Sequence, residues 1–576
     1  NLHILTSAIN FKTHSGKGQN IKKEFYGVKK LRKLILELAI RGKLTPQDQN
    51  DEPASEILKK IKKEKSDLIK NGKQKKNKLQ NLSNNEAKPY ELPHGWDWAP
   101  LGILGNIFNG NSISNRIKDE KYTNVPGIPF LATKDIGYGF ESLAYDNGIA
   151  IPFHEPKFKK ASKGSVLICA EGGSAGKKCG VTDREICFGN KLFANELHGN
   201  IEPNYILTFY LTSTFYNQFS QSMTGIIGGI SASKFNQIQC PLPPLKEQGR
   251  IISKVNNLMK ICDLLEFEQK TSFEKHEKLV SNVLNILESA SSDPSQIPKA
   301  WEQIYNNFNI LFTSESSVDK FKQTILKLAV MGKLVQQESG DEPAEVLFKK
   351  ITEKKGKLIE KGLLKKQKQL PHLEKEKPYQ IPENWKWVRL NDAFDIRDGT
   401  HDSPQDAIGD NTYPLVTTKD FKNGKIDFTG AKRISSEDHV KICERSNVKV
   451  NDILFSMIGS IGNQVIVEDP RPFSIKNVAL FKYYSQELTV PKFLKIYTEE
   501  LAFGLKQKAS GAVQPFISLS FLRNLPFALP PTSEQHRIVA KVDELMKLCE
   551  KLKTSIASKE AKQLNLADSL IDKVMR

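Results

Sequence analysis

The stretch Pro243-Pro244-Leu245-Lys246-Glu247-Gln248-Gly249-Arg250-Ile251 decides the reading, because it occurs again 287 residues later as Pro530-Pro531-Thr532-Ser533-Glu534-Gln535-His536-Arg537-Ile538. The match runs on through Lys254-Val255, Leu258-Met259-Lys260 and Cys262, which recur as Lys541-Val542, Leu545-Met546-Lys547 and Cys549. Upstream, Val28 to Lys76 aligns without a gap on Val318 to Lys366 at a shift of 290. This places Gly42-Lys43-Leu44 on Gly332-Lys333-Leu334 and Asp51-Glu52-Pro53-Ala54 on Asp341-Glu342-Pro343-Ala344. Between these anchors, Pro89-Tyr90, Pro93 and Trp96-x-Trp98 recur as Pro378-Tyr379, Pro382 and Trp385-x-Trp387, and Thr133-Lys134-Asp135 recurs as Thr418-Lys419-Asp420. The 576-residue chain is one element of about 290 residues used twice.

Each copy divides by composition into a head, a middle and a tail. The heads, within 1–88 and at 318–378, read as two helices each. Leu31, Leu34, Ile35 and Leu38 repeat at helical spacing up to Gly42, a residue suited to the left-handed position past a helix end. Asp51-Glu52-Pro53 then sets acids and a proline where the next helix begins. The middles, 89–240 and 379–527, are richer in Gly, Pro, Asn and aromatics, and short apolar runs such as Ser165 to Cys169 and Asp452 to Phe455 alternate with turn signals. They read as mixed α+β domains. A long helix and linker fill 241–317, and a second long helix fills 528–576.

In the long helices Ile251, Val255, Leu258, Cys262 and Leu265 fall at alternating spacings of four and three, as do Ile538, Val542, Leu545, Cys549 and Leu552. The phase resumes at Leu279 and Leu566 after a polar interruption at Gln269, Ser272 and His276, or at Lys559 and Gln563. Two helices sharing such a seam would pair as an antiparallel coiled coil, each roughly 65 Å long. The expected fold is therefore α+β: two mixed domains separated by long helices, an internal duplication with pseudo-two-fold symmetry.

Lys and Arg number 85 against 66 Asp and Glu, a surplus of +19 that points to polyanions, nucleic acid first. Of these charges 16 fall in 22–88 and 318–378, while the middle domains are almost neutral. Seven scattered cysteines without a C-x-x-C pair suit neither a disulfide framework nor a zinc site, and a reducing cytoplasm is the expected location. The first residues show no charged leader with an apolar core, and no apolar run approaches the 18 or so residues of a membrane span.

The two copies agree closely in heads and tails, whereas the middles keep only sparse anchors, as if one frame carried two different recognition modules. The doubled Gly-Lys-Leu, Asp-Glu-Pro-Ala, Trp-x-Trp and Pro-Pro-x-x-Glu-Gln-x-Arg-Ile signatures resemble the specificity subunits of type I restriction-modification enzymes. The start, Leu5-Thr6-Ser7-Ala8-Ile9 with Tyr26-Gly27-Val28-Lys29-Lys30-Leu31, is similar to the branch with long N-terminal heads. The resemblance implies that each middle is a target recognition domain reading one half of a split site in double-stranded DNA. It implies helical regions that dock two methylation subunits, with restriction subunits joining in the full complex. It also implies a chain that is not itself an enzyme and carries no cofactor. Adenine-N6 methylation with S-adenosylmethionine, and ATP- and magnesium-dependent cutting, would belong to partner subunits.

The residues offer little chemistry to the rival readings of a fused methyltransferase or nuclease, or of a scaffold without DNA. Glu171-Gly172-Gly173-Ser174-Ala175-Gly176-Lys177-Lys178 lacks the first glycine and last hydroxyl of a phosphate loop, and the other copy keeps only Gly-Ser-x-Gly. A tight turn near DNA or a neighbouring strand fits better. Ten histidines show no metal spacing. Base readout calls for Arg or Lys at guanine and Asn or Gln at adenine, with Ser or Thr at either. The first-domain candidates are Asn111, Ser112, Asn115, Arg116, Lys134, Ser174, Lys177 and Lys178. Those of the second domain are Arg397, Thr400, His401, Lys419, Ser460, Asn463 and Gln514. Lys134 and Lys419 recur at one place, which suits phosphate positioning, and the tryptophans read as packing.

Overall fold

A computed structural model describes residues 6, 8–13, 21–70, 88–224, 228–290, 296–365, 373, 377–459, 461–508 and 516–575. The chain forms two compact units, residues 1–271 with 559–576, and residues 272–558.

Unit 1 opens with a hairpin, β1 (Asn10–Thr13) and β2 (Ile21–Glu24), followed by head helices α1 (Tyr26–Ile40) and α2 (Ala54–Lys70). β3 (Asp97–Pro100) leads into the middle domain and pairs antiparallel with its last strand, β12 (Gln239–Leu242). Between them β4 (Gly105–Asn109), β11 (Leu192–Leu197), β8 (Val166–Cys169) and β9 (Cys179–Val181) form an antiparallel sheet in that order. A second sheet has the order β6 (Ala150–Ile151), β5 (Ile128–Leu131), β10 (Ile186–Phe188), β7 (Lys160–Ala161), with β5 and β10 parallel. Helices α3 (Pro203–Tyr210) and α4 (Ser213–Ser222) cover the first sheet, and α5 (Leu245–Ala290) is the first long helix. The wholly apolar run of β8 is explained by burial on both faces: Val166 and Ile168 join one core cluster, and Leu167 and Cys169 the other.

Unit 2 repeats this plan. The stretch expected as linker holds α6 (Ile297–Asn306) and α7 (Phe308–Leu311), whose Ala300, Ile304 and Leu311 are buried with the second head. The head is α8 (Glu315–Val330) and α9 (Ala344–Glu360). β13 (Lys386–Arg389) pairs with β23 (Pro526–Leu529). One sheet runs β14 (Phe394–Asp398), β22 (Val478–Tyr483), β19 (Ile453–Ser456), β20 (Gln464–Ile466). The other runs β18 (Lys432–Ser435), β15 (Thr412–Val416), β21 (Ser474–Ile475), with β16 (Phe421–Lys422) and β17 (Lys425–Ile426) as a separate hairpin. Helix α10 (Pro491–Lys508) covers the first of these sheets, and α11 (Thr532–Met575) is the second long helix. Among the described residues no helix is long and apolar enough to cross a membrane.

The doubled signatures meet at one joint in each unit. Gly42 and Gly332 stand at φ +65° and +69°, where Lys43 and Lys333 donate back to Leu38 and Leu328 at 3.0 and 2.9 Å, ending α1 and α8. A Cβ there would sit 2.5 Å from Pro93 or 2.7 Å from Pro382, so glycine is required sterically as well. The Tyr90 and Tyr379 hydroxyls donate to the terminal carbonyls of Ile40 and Val330 at 2.8 and 3.1 Å. The Trp96 and Trp385 indoles donate to Glu247 and Glu534 at 2.9 and 2.8 Å; Gln47 and Gln337 donate to the same carboxylates at 2.8 and 2.6 Å. Arg250 grips buried Asp51, and Arg537 grips buried Asp341. Head, middle and long helix are thus tied by charge-assisted bonds inside an apolar setting. Burial raises the Glu247 and Glu534 carboxyls above their ordinary value, and their indole and amide donors oppose the shift.

The seam residues are shared with the heads. Ile251, Val255 and Cys262 are buried in unit 1, with Leu258 and Leu265 part-buried against the same core as Val28, Ile35 and Leu36. Ile538, Val542, Leu545 and Cys549, with Leu552 at their edge, join Phe321, Ile325 and Leu328 in unit 2. Each far end serves the other copy's head: Val280, Leu284 and Leu287 of α5 lie in the unit 2 core, and Leu564, Ala567 and Leu570 of α11 pack with Ala8, Tyr26 and Leu31 in unit 1. Arg32 to Asp263 at 2.7 Å has its repeat equivalent in Lys322 to Glu550, and Lys30 to Asp568 at 2.7 Å in Lys320 to Ser281 at 3.0 Å. The head helices thus enter a seam that heptad spacing assigns to the long helices alone. The polar interruption in α5 has partners: Gln269 donates to the Thr6 carbonyl at 2.5 Å, and His276 contacts the Ile310 carbonyl at 2.8 Å.

Candidate nucleic-acid interface

The recurring Thr-Lys-Asp is a single 3-10 turn, Thr133–Asp135 and Thr418–Asp420. Its buried aspartate turns back to accept from a backbone amide three residues earlier, Asp135 from Ala132 at 2.8 Å and Asp420 from Thr417 at 2.7 Å. The turn leaves Lys134 and Lys419 exposed at its crest. A lysine whose backbone is fixed by a locked turn suits a contact that both domains share.

The loop leaving β4 or β14 lies beside that turn. Asn111 donates its amide N–H to the Phe188 carbonyl and bridges Gly189, whose N–H reaches Leu131 at 2.9 Å. In the second domain Thr400 bridges Lys476, and the Lys476 N–H reaches Val416 at 3.0 Å. Both domains therefore bring three segments to one sheet edge. Missed from sequence were Asn190, exposed beside Gly189, and Asn477, whose side-chain oxygen meets His401 Nδ1 at 3.0 Å. A signal existed, since an Asn recurs at a shift of 287, two residues before the start of β11 and one before that of β22.

The glycine-rich stretch is the β8–β9 turn and its β19–β20 counterpart, two residues shorter. Gly176 and Gly462 stand at φ +69° and +80° because a helix presses on them: a Cβ would lie 2.6 Å from Phe219 of α4 or 2.1 Å from Ala502 of α10. In the first domain Gly172 donates to Gly228 at 2.8 Å, and Lys178 donates to the Thr133 carbonyl at 3.0 Å, which sets this loop against the Lys134 turn. Ser174 is half-buried in it and Lys177 exposed.

Several candidates are already engaged. Asn111 braces the neighbouring loop by accepting from Lys159 at 2.8 Å and donating to Lys157. Arg116 pairs with Glu120 at 2.7 Å on a fully solvated surface, beside exposed Ser112 and Asn115. Arg397 is turned onto Asp395 at 2.7 Å, and Thr400 is buried. His401 Nε2 meets Asp398 at 3.0 Å, and the same carboxylate receives Arg445. Asn463 is half-buried where its carbonyl accepts from Ser456. Ser460 and Gln514 lie outside the described residues. Among the described residues no cluster of His, Cys, Asp or Glu could hold a metal ion.

The Methylase_S family, described as the type I restriction modification DNA specificity domain, matches residues 93–275 and 382–559. The chain is 36% identical to the type I restriction enzyme EcoAI specificity subunit of Escherichia coli over 98% of this chain and 97% of that protein. It is 32% identical to the EcoEI specificity subunit of the same organism over 99% and 98%. The crystal structure of the HsdS subunit from Thermoanaerobacter tengcongensis is similar at 19% identity and a TM-score of 0.40, covering 85% of this chain and 98% of that one.

Proposed function

The chain belongs to the type I restriction-modification DNA specificity family, and on that premise we propose that its two middle domains, 89–240 and 379–527, each read one half of a split site in double-stranded DNA. The observation that supports this most is the common sheet edge. A locked turn offers Lys134 or Lys419 in the same way in both, while the side chains around it differ, with Lys177 and Lys178 in one and His401 and Lys476 in the other. Shared cations position phosphates, and the side chains that differ around them discriminate bases.

The helical frame docks two methylation subunits and sets the spacing of the half-sites. Adenine-N6 methylation with S-adenosylmethionine belongs to those partners, and ATP- and magnesium-dependent cleavage to restriction subunits. The test is to purify the chain with and without co-expressed methylation subunits and map methylated sites. Sequence-specific methylation by the complex, with none by the chain alone, is expected; methylation by the complex without sequence preference would refute the reading. Exchanging 89–240 for a different domain should alter one half of the site only.

A further inference from the structure

Unit 1 holds a cleft of about 960 Å³ between the head, the strap before β3 and helix α4. Four cations converge on it from distant parts of the chain: Arg41 past the end of α1, Lys62 of α2, Lys88 of the strap, and Lys234 of the short helix Ala232–Gln237. Asp97 is its single carboxylate. Among the described residues no carboxylate pairs with Lys62, Lys88 or Lys234. The floor is the Tyr90–Trp98 aromatic pair, with ring centroids 5.0 Å apart and the Arg41 guanidinium 4.7 Å over Tyr90. Exposed amides of Asn217 and Gln221, one turn apart on α4, form a wall.

The other copy shows that this charge is not demanded by the frame. The joint is repeated residue for residue, yet Arg41, Lys62 and Lys234 are replaced at equivalent positions by Met331, Thr352 and Phe521. Lys377 matches Lys88, and Lys386, in place of Asp97, is paired to Glu345. Arg41 has a partner in unit 1, buried Glu37 at 4.0 Å, which also accepts from Thr214 of α4 and is Lys327 in the other copy; packing of the head on the middle domain does not explain Lys62 and Lys234.

We propose that this cleft binds a nucleotide unit, with phosphate held by Arg41, Lys62, Lys88 and Lys234 and the base set against the Tyr90–Trp98 pair and the α4 amides. Excess cation selects an anion, the volume exceeds what a lone phosphate fills, and aromatic with amide lining is the chemistry that receives bases. The source is a free nucleotide or one residue of a nucleic-acid strand. The site is separate from half-site reading, since neither Lys134 nor the glycine loop lines it.

The test uses the full chain and two fluorescein-labelled probes, AMP and a single-stranded 12-mer, with the triple variant Arg41→Met, Lys62→Thr, Lys234→Phe, which takes the residues found at the equivalent positions of the repeat. Affinity should fall about tenfold or more, with half-site preference of the methylating complex retained. Loss for both probes identifies a free-nucleotide site, and loss for the 12-mer alone a strand site. Charge reversal at exposed Lys62→Glu with Lys88→Glu gives the same readout if the triple variant is unstable. Unchanged affinity in a folded variant, no binding of either probe to the parent, or a change only in co-purifying protein would each overturn the proposal. Altered site preference with intact probe binding would overturn the proposal and count against the separation of this cleft from half-site reading as well.

Discussion

Replacing Glu534 by alanine should destabilise unit 2 more than Glu247→Ala destabilises unit 1, although the two glutamates hold the same place in the repeat. Each is almost wholly buried and accepts from one indole and one amide. Hydrogen bonds to a charged group contribute roughly 1.5–3 kcal/mol each, and relief of carboxylate burial offsets part of the loss, so a net cost near 3 kcal/mol follows for Glu534→Ala. In unit 1 the Trp96 indole also reaches Gln47 Oε1 at 3.1 Å, while the corresponding amide, Gln337, gives its Nε2 to Glu534 and Gly332. Glu247→Ala thus leaves Trp96 with an acceptor, whereas Glu534→Ala strips one from Trp385. A buried donor left unpaired costs about 1–3 kcal/mol, so the two variants should differ by at least about 1 kcal/mol. Hydrogen exchange of β13 and β23 against β3 and β12 reads each joint separately within one chain. Protection should drop about fivefold further in the Glu534 variant. Equal losses, or a larger loss at Glu247, would refute this account of the joint.

Lys134→Ala and Lys419→Ala should weaken DNA binding evenly across sequences and lower the salt slope by about 1 each, measured by titration at several salt concentrations; loss confined to one base would argue for readout instead. Gly332→Ala, strained at positive φ and 2.7–2.9 Å from Pro382 and Trp385, should destabilise unit 2 by about 2–3 kcal/mol in exchange measurements. The raised carboxyls of Glu247 and Glu534 bind protons more tightly folded than unfolded, so their contribution to stability is highest below the ordinary value near 4.5 and falls as pH rises through the folded values. A Glu247→Gln, Glu534→Gln chain should therefore show a flatter melting profile than the parent between about pH 4.5 and 7.

The frame is legible in the sequence because its constraints are local and doubled. Gly42 with Gly332 marks the end of a helix, and Asp51-Glu52-Pro53 immediately precedes α2. What spacing does not reveal is a third partner: the seam positions of α5 and α11 have coiled-coil spacing, yet α1 and α8 share them. Helix α7 is too short for a periodic signal, whereas α6 carries one, with Ile297, Ala300, Trp301 and Ile304 at helical spacing inside a stretch that reads as linker. At the interface the recurrence of Thr-Lys-Asp singles out Lys134 and Lys419, because a locked turn must keep its aspartate. Loop residues follow no such rule. Arg397 looks available in sequence but lies on Asp395, whereas Asn477 and Lys476 reach the edge through parallel pairing of β15 with β21, far apart in the chain.

The exchange of helix ends between the copies orders events during synthesis. Tyr26 and Lys30 on the first head helix bond Asp568, so the surface of α1 waits for residues that leave the ribosome after the whole of unit 2. A nonsense codon near position 559 would leave unit 2 intact and harm the unit translated first, so damage written at the 3′ end of the message is felt at the N-terminal domain.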